Sequence, residues 1–169
     1  MPTLPDLNVL PADEWVRTLG GIFEHSPWVA EAVEDQRPFE STEALHAAMN
    51  GAVAASPLEQ QLALIRAHPD LAGRLAKLGQ LTAESTREQA SAGLADADAS
   101  TIERISELNS AYLSRFGFPF IICARLNKVD SILEAMQVRL HHDADAELST
   151  ALSEIGKITL LRLKDLIQD

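Results

Sequence analysis

Along almost the whole of this chain the apolar residues recur three and four positions apart, the spacing that gathers them on one face of an α-helix. The one candidate for period-two alternation is Phe120–Cys123. The pattern therefore predicts an all-α, single-domain bundle of about seven to nine helices, because helices with one apolar stripe each bury it against one another.

Capping residues and helix breakers divide the pattern. Helices are expected over Pro11–Leu19, over Trp28–Val33 behind Ser26-Pro27, and from Ser41 to the turn signal Asn50-Gly51. Ser56, Pro57 and Glu59 read as an N-cap, a first-turn proline and the completion of a capping box, opening a helix whose apolar face carries Leu58, Leu62 and Ile65. Pro69 disfavours the α conformation in the residue before it, so this helix should stop at or just before His68. Asp70–Leu78, stopped by Gly79, is the next. Ser85-x-x-Glu88 reads as a capping box for a short helix over Arg87–Leu94, closed by Gly93. Ala92–Ser100, small and acidic, reads as a surface loop.

Ser100-x-x-Glu103 is a further capping box, opening a long helix with Ile102, Ile105, Leu108, Tyr112 and Phe116 on one face and Gly117 at its end. Ser131–His142 carries Ile132, Leu133, Met136 and Leu140. Ala146–Ile167 carries Leu152, Ile155, Thr159, Leu163 and Leu166. Trp15 and Trp28 are expected as core anchors, and His25 and His46 as surface or packing residues.

The chain of 169 residues has one domain's length, and 46% hydrophobic residues suffice for a real core. Its single cysteine, Cys123, excludes an internal disulfide and reads as a small buried hydrophobe, a pattern that suits a reducing cytoplasm. With 14 basic against 25 acidic residues, the formal charge of −11 repels a nucleic-acid backbone and an anionic membrane surface, so neither is expected as a partner. Pro2-Thr3-Leu4-Pro5-Asp6 lacks the basic start and apolar core of a signal peptide, and Ile167-Gln168-Asp169 reads as no peroxisomal address.

Three stretches carry candidate chemistry. His68, in His68-Pro69-Asp70-Leu71-Ala72-Gly73-Arg74, sits where the backbone must turn, and imidazole is the side chain that gives or takes a proton near neutral pH. The bland alternative is a histidine that meets the helix dipole. Ser85, Glu88 and Gln89 place a hydroxyl, a carboxylate and an amide beside a helix start, which suits either a cap or a polar heterocyclic ligand. Phe116–Arg125 holds three of the five phenylalanines together with Gly117 and Pro119, and can form plain core or the wall of a pocket for a flat ligand.

With Gly21-Ile22-Phe23-Glu24-His25-Ser26-Pro27-Trp28 before them and Leu108-Asn109-Ser110-x-Tyr112 between, these motifs resemble, in order and spacing, the 2-oxo-4-hydroxy-4-carboxy-5-ureidoimidazoline decarboxylase family. The likeness runs to about Leu161-Arg162-Leu163. It implies a lyase of urate breakdown giving (S)-allantoin, with His68 as catalytic acid or base and Glu88 beside it. Pro69, Ser85, Gln89, Phe120, Ile121, Ile122, Cys123, Ala124 and Arg162 would contact the substrate, Arg162 as a counter-charge. The substrate's own C=N bond can accept the electrons left by carbon dioxide, so neither cofactor nor metal is expected. Relatives of this kind are often homodimers, which is the assembly expected here.

Two other readings compete. His141-His142-Asp143-x-Asp145 could serve a metal-dependent hydrolase, although its place at a helix end also suits histidines that meet the dipole. An acidic helical interaction module without chemistry is the third.

Overall fold

The computed structural model describes residues 1–73 and 79–168. Among the described residues there are nine α-helices and no strand, so the all-α expectation holds. They are α1 Leu4–Asn8, α2 Ala12–Leu19, α3 Trp28–Ala32, α4 Thr42–Ala55, α5 Leu58–Ala67, α6 Ala83–Ser91, α7 Ala99–Phe116, α8 Val129–Arg139 and α9 Ala144–Leu166. Short 3-10 turns occupy Glu34–Gln36, Leu94–Asp96 and Ala124–Leu126. Phe120–Cys123 forms no strand. None of the helices is long and apolar enough to cross a membrane.

Backbone contacts divide the chain into two compact units, Met1–Ala67 with Thr159–Asp169, and His68–Ile158. In the first, α2 and α4 both pack on α3. Trp15 is fully buried there, its Nε1 donating to Ala30 O at 2.8 Å, and it anchors the core as expected. Trp28 is only partly buried. Helix α4 does not stop at Asn50-Gly51, because Met49 and Val53 continue its buried face through the glycine, which costs about 1 kcal/mol relative to alanine. The continuation changes the role of Ser56. Its hydroxyl donates back to Val53 O at 2.6 Å, finishing α4 instead of opening α5. In α5 the buried pair is Leu64 and Ile65, while Leu58 in the first turn is exposed.

In the second unit, α6 packs against the 3-10 turns at 94–96 and 124–126, and α7 packs on α8. Two further capping boxes are displaced. Thr82 caps α6 by accepting from Ser85 N, and Asp98 caps α7 by accepting from Thr101 N at 2.8 Å. Gly117 ends α7 as expected, at φ +76°, a conformation in which a Cβ would be strained. Ala92 and Leu94 are buried, so the stretch expected as a surface loop is partly core. Of the helix expected over Asp70–Leu78, Leu71-Ala72 form a turn, and positions 74–78, Arg74 among them, lie outside the described residues. On α9 the buried stripe runs through Ala151, Glu154, Ile155, Ile158, Thr159, Arg162 and Leu163, with Leu152 and Leu166 at its margins.

Candidate active site

His68 is the first residue after α5, so the helix ends where Pro69 requires. Its side chain is buried, with 6% of the residue exposed. On α6, Ser85, Glu88 and Gln89 are spaced i, i+3 and i+4 and share one face; Ser85 and Gln89 are buried and Glu88 is half-buried. Beginning α6 at Ala83 rather than at Arg87 is what makes this face a helical face at all.

The His68 segment and α6 meet a third element, the buried run from Phe120 to Ala124, around one cavity within the second unit. It encloses about 370 Å³, part of it open to solvent. His68, Pro69, Ser85, Glu88 and Gln89 line it on the polar side, and Phe120, Ile121, Ile122 and Ala124 form its apolar wall. Leu71 and Ile158 complete the lining, and neither was singled out from the sequence. Leu71 stands inside the His-Pro-Asp-Leu motif, and Ile158, three residues beyond Ile155, would have extended the apolar stripe of α9.

Two of the expected contact residues are not among those that line it. Cys123 is not part of the lining; it is buried, and burial pushes its thiol's pKa up, as expected of an inert small hydrophobe. Arg162 belongs to the first unit, where its Nη1 donates to Glu24 Oε2 at 2.7 Å and to Ile22 O at 3.3 Å.

The cavity's polar groups are held by backbone and amide bonds. Gln89 Oε1 accepts from Ala72 N at 2.8 Å and its Nε2 donates to Asp70 O at 3.2 Å, so the amide brackets the turn after His68. One N–H and one lone pair of that amide stay available. Asn109 Nδ2 donates to Leu71 O at 2.9 Å from α7. These bonds surround Ala72, a non-glycine residue at φ +48°, a conformation costing about 1–2 kcal/mol. Gly73 is required by close approach, since a Cβ there would lie 2.5 Å from Asp70 Cβ. On the opposite side of the motif set, the N–H groups of Ile121 and Ile122 donate to no group among the described residues. Buried donors of this kind normally find an acceptor.

Asp70 has its pKa raised by burial. A raised carboxylate is stabilising below its unfolded-state pKa and loses that contribution as pH rises through the folded-state value. Asp70→Asn should therefore melt at a higher temperature than the parent at pH 7, and the difference should shrink as the pH is lowered toward about 4, the ordinary aspartate range. Thermal melts at the two pH values measure it.

Two members of the His141–Asp145 cluster, His142 and Asp143, are engaged in other bonds. His142 Nδ1 lies 3.0 Å from Glu147 Oε2, and Asp143 Oδ1 accepts from Ala146 N at 2.7 Å at the start of α9. Among the described residues no group of three or more His, Cys, Asp or Glu is placed to hold a metal ion.

Comparison with known proteins decides the family. The model of the OHCU decarboxylase family matches residues 8–164. The chain belongs to that family. A 2-oxo-4-hydroxy-4-carboxy-5-ureidoimidazoline decarboxylase of Amia calva is 44% identical over 162 residues, covering 96% of this chain and 93% of the relative. A crystal structure of (S)-allantoin synthase superposes with a TM-score of 0.81 at 32% identity, covering 99% of this chain and 54% of that one. A crystal structure of OHCU decarboxylase in the presence of (S)-allantoin gives 0.71 at 29% identity, covering 93% and 99%. As an OHCU decarboxylase the chain is a carboxy-lyase of urate degradation. The motifs that carried the resemblance include those that form the cavity.

Proposed function

We propose that the cavity in the His68–Ile158 unit binds 2-oxo-4-hydroxy-4-carboxy-5-ureidoimidazoline and converts it to (S)-allantoin. The observation that carries this reading is the convergence of His68, Glu88 and Gln89, some twenty positions apart, on one cavity whose apolar wall includes Ile121 and Ile122, residues whose N–H groups donate to no group among the described residues.

The reaction breaks the bond to the carboxylate, and its electron pair passes into the adjoining C=N, whose nitrogen takes a proton. The enol so formed becomes the ring carbonyl as its hydroxyl gives up a proton and the neighbouring carbon gains one on a single face. His68 is assigned to the hydroxyl proton, a role that imidazole chemistry suits. Glu88 and the unspent half of the Gln89 amide take the ureido and ring N–H groups, and the Ile121–Ile122 N–H groups take ring carbonyl oxygen. Pro69, Ser85, Phe120 and Ala124 shape the remaining wall. A half-buried Glu88 carboxylate also disfavours a second carboxylate close by, and loss of carbon dioxide relieves that repulsion. The expected role of Arg162 as counter-charge rests on the resemblance alone; in the first unit its guanidinium pairs with Glu24.

The same reading includes a homodimer and a cytoplasmic setting, the first supported by the family likeness and the second by a single buried thiol. Sedimentation tests the dimer. The activity test is direct: the ureidoimidazoline is generated from urate with the preceding enzymes, the protein is added, and optical activity is followed. Allantoin should appear faster than by spontaneous decay and in one enantiomer; a racemic product formed at the spontaneous rate would overturn the assignment.

A further inference from the structure

The motif Leu108-Asn109-Ser110-x-Tyr112 contributes nothing to the cavity lining, yet two of its residues hold the lining in place. Asn109 and Tyr112 lie three positions apart on the buried face of α7. Asn109 Nδ2 donates to the carbonyl of Leu71, which lines the cavity three residues after His68. Tyr112 donates its hydroxyl to Glu147 Oε1, the oxygen that also accepts from Arg139 Nε at 2.9 Å. Arg139 in turn donates Nη1 to Ile121 O at 2.7 Å, and its guanidinium lies 4.2 Å from the centre of the Phe120 ring. The Tyr112 ring meets Phe120 edge-on at 5.3 Å. One face of α7 is thus tied to the histidine-bearing turn by one bond and to the Phe120–Ile121 wall by a chain of three.

We propose that Asn109 and Tyr112 are positioning residues, which set the distance between His68 and the Ile121–Ile122 wall by referring both to a single helix. The proposal rests on the cavity being the active site. Its physical basis is that the turn after His68 holds Ala72 at φ +48°, where an L-residue does not remain without bonds that over-determine it. Asn109 supplies one of those bonds, and a shift of about 1 Å at a reacting group is enough to cost on the order of 10²-fold in rate. Tyr112 acts on the other wall, through Glu147 and Arg139, where ligand oxygens are held.

The two residues should therefore leave different kinetic signatures. Asn109→Leu removes the donor to Leu71, together with an Oδ1 that has no hydrogen-bond partner among the described residues. It should lower kcat by about tenfold or more, with KM changed less than about threefold. Tyr112→Phe, which keeps the ring, should raise KM by about tenfold with kcat within about threefold. Placing Ala72→Gly in the Asn109→Leu background should recover part of the lost kcat, at least about threefold, because glycine adopts φ +48° without the brace. A residue that matters only for packing would lower the folded fraction and leave kcat per folded molecule, KM and the glycine rescue unmoved. Wild-type kinetics in both single variants, beside a His68→Asn enzyme that has lost turnover, would overturn the proposal and spare the site. Wild-type kinetics in His68→Asn would instead remove the site on which the proposal stands. Should Asn109→Leu fail to fold, Tyr112→Phe, the loss of one oxygen, decides alone: an unchanged KM overturns the proposal and a raised one supports it.

Discussion

In a His68→Asn variant, turnover of the ureidoimidazoline is expected to fall by a factor of about 10²–10⁴, the usual worth of a positioned acid or base, while the helical circular dichroism stays that of the parent. Asparagine retains a polar side chain of smaller volume at a position that is 6% exposed, so the fold does not depend on the imidazole in the way the proton transfer does. The turn around position 68 is held by Pro69, by the Gln89 amide and by Asn109, none of which the substitution touches. A variant that turned over at the parental rate would take the proton-carrying role away from His68. Glu88→Gln supplies a contrast, because it preserves shape while it removes the charge that disfavours the substrate carboxylate and exchanges one acceptor oxygen for an N–H donor group. Steady-state kinetics on both variants separate proton transfer from that electrostatic effect.

The second large effect is on stability. Arg139→Met should destabilise the fold by about 3–5 kcal/mol, the cost of leaving one partner of a buried ion pair uncompensated. Glu147 is fully buried and receives Arg139, Tyr112 and His142. Without the guanidinium its carboxylate loses the cation that lies 2.9 Å away, and Ile121 O loses its donor. Replacing both members, Arg139→Met with Glu147→Leu, should recover most of the loss, since exchanging a buried pair for apolar side chains of similar volume is often close to neutral. Urea unfolding of the two single variants and the double variant measures the effect. Additive losses would show that the pair contributes nothing as a pair.

Helix existence was legible at α5 and α7, where an apolar stripe had a stop signal after it. Gly117 ended α7 because glycine takes up the left-handed backbone of a helix stop with no Cβ to strain, and Pro69 ended α5 because proline disfavours the α conformation in the residue before it, whatever surrounds either. Helix starts were less legible. The serines at 56, 85 and 100 each read as an opening cap, and in each case the hydroxyl position was superseded. Ser56 was claimed by the end of α4, while Thr82 and Asp98 began α6 and α7 ahead of the serines. A capping box is a local bond of about 1 kcal/mol, and burial of a helical face outweighs it. The shift at α6 is the one with consequences, since it turns Ser85, Glu88 and Gln89 from a helix opening into a face of the cavity.

The residue types and their order along the chain were enough to establish an all-helical fold, the family, and the three stretches from which the cavity is made. Those properties follow from periodicity and from motifs, which are local and survive without coordinates. What the folded molecule alone could settle is the use to which each side chain is put. Gln89 was expected to face a ligand, and half of its amide is spent on the backbone of Asp70 and Ala72. Cys123 was expected in the wall, and Leu71 and Ile158 stand there with its neighbours. Asn109, Tyr112, Arg139 and Glu147 are joined across separations of up to 38 residues, and no spacing rule reports a hydrogen bond of that kind. Such partnerships depend on how helices pack against one another, a property of the whole assembled core and not of any window of sequence.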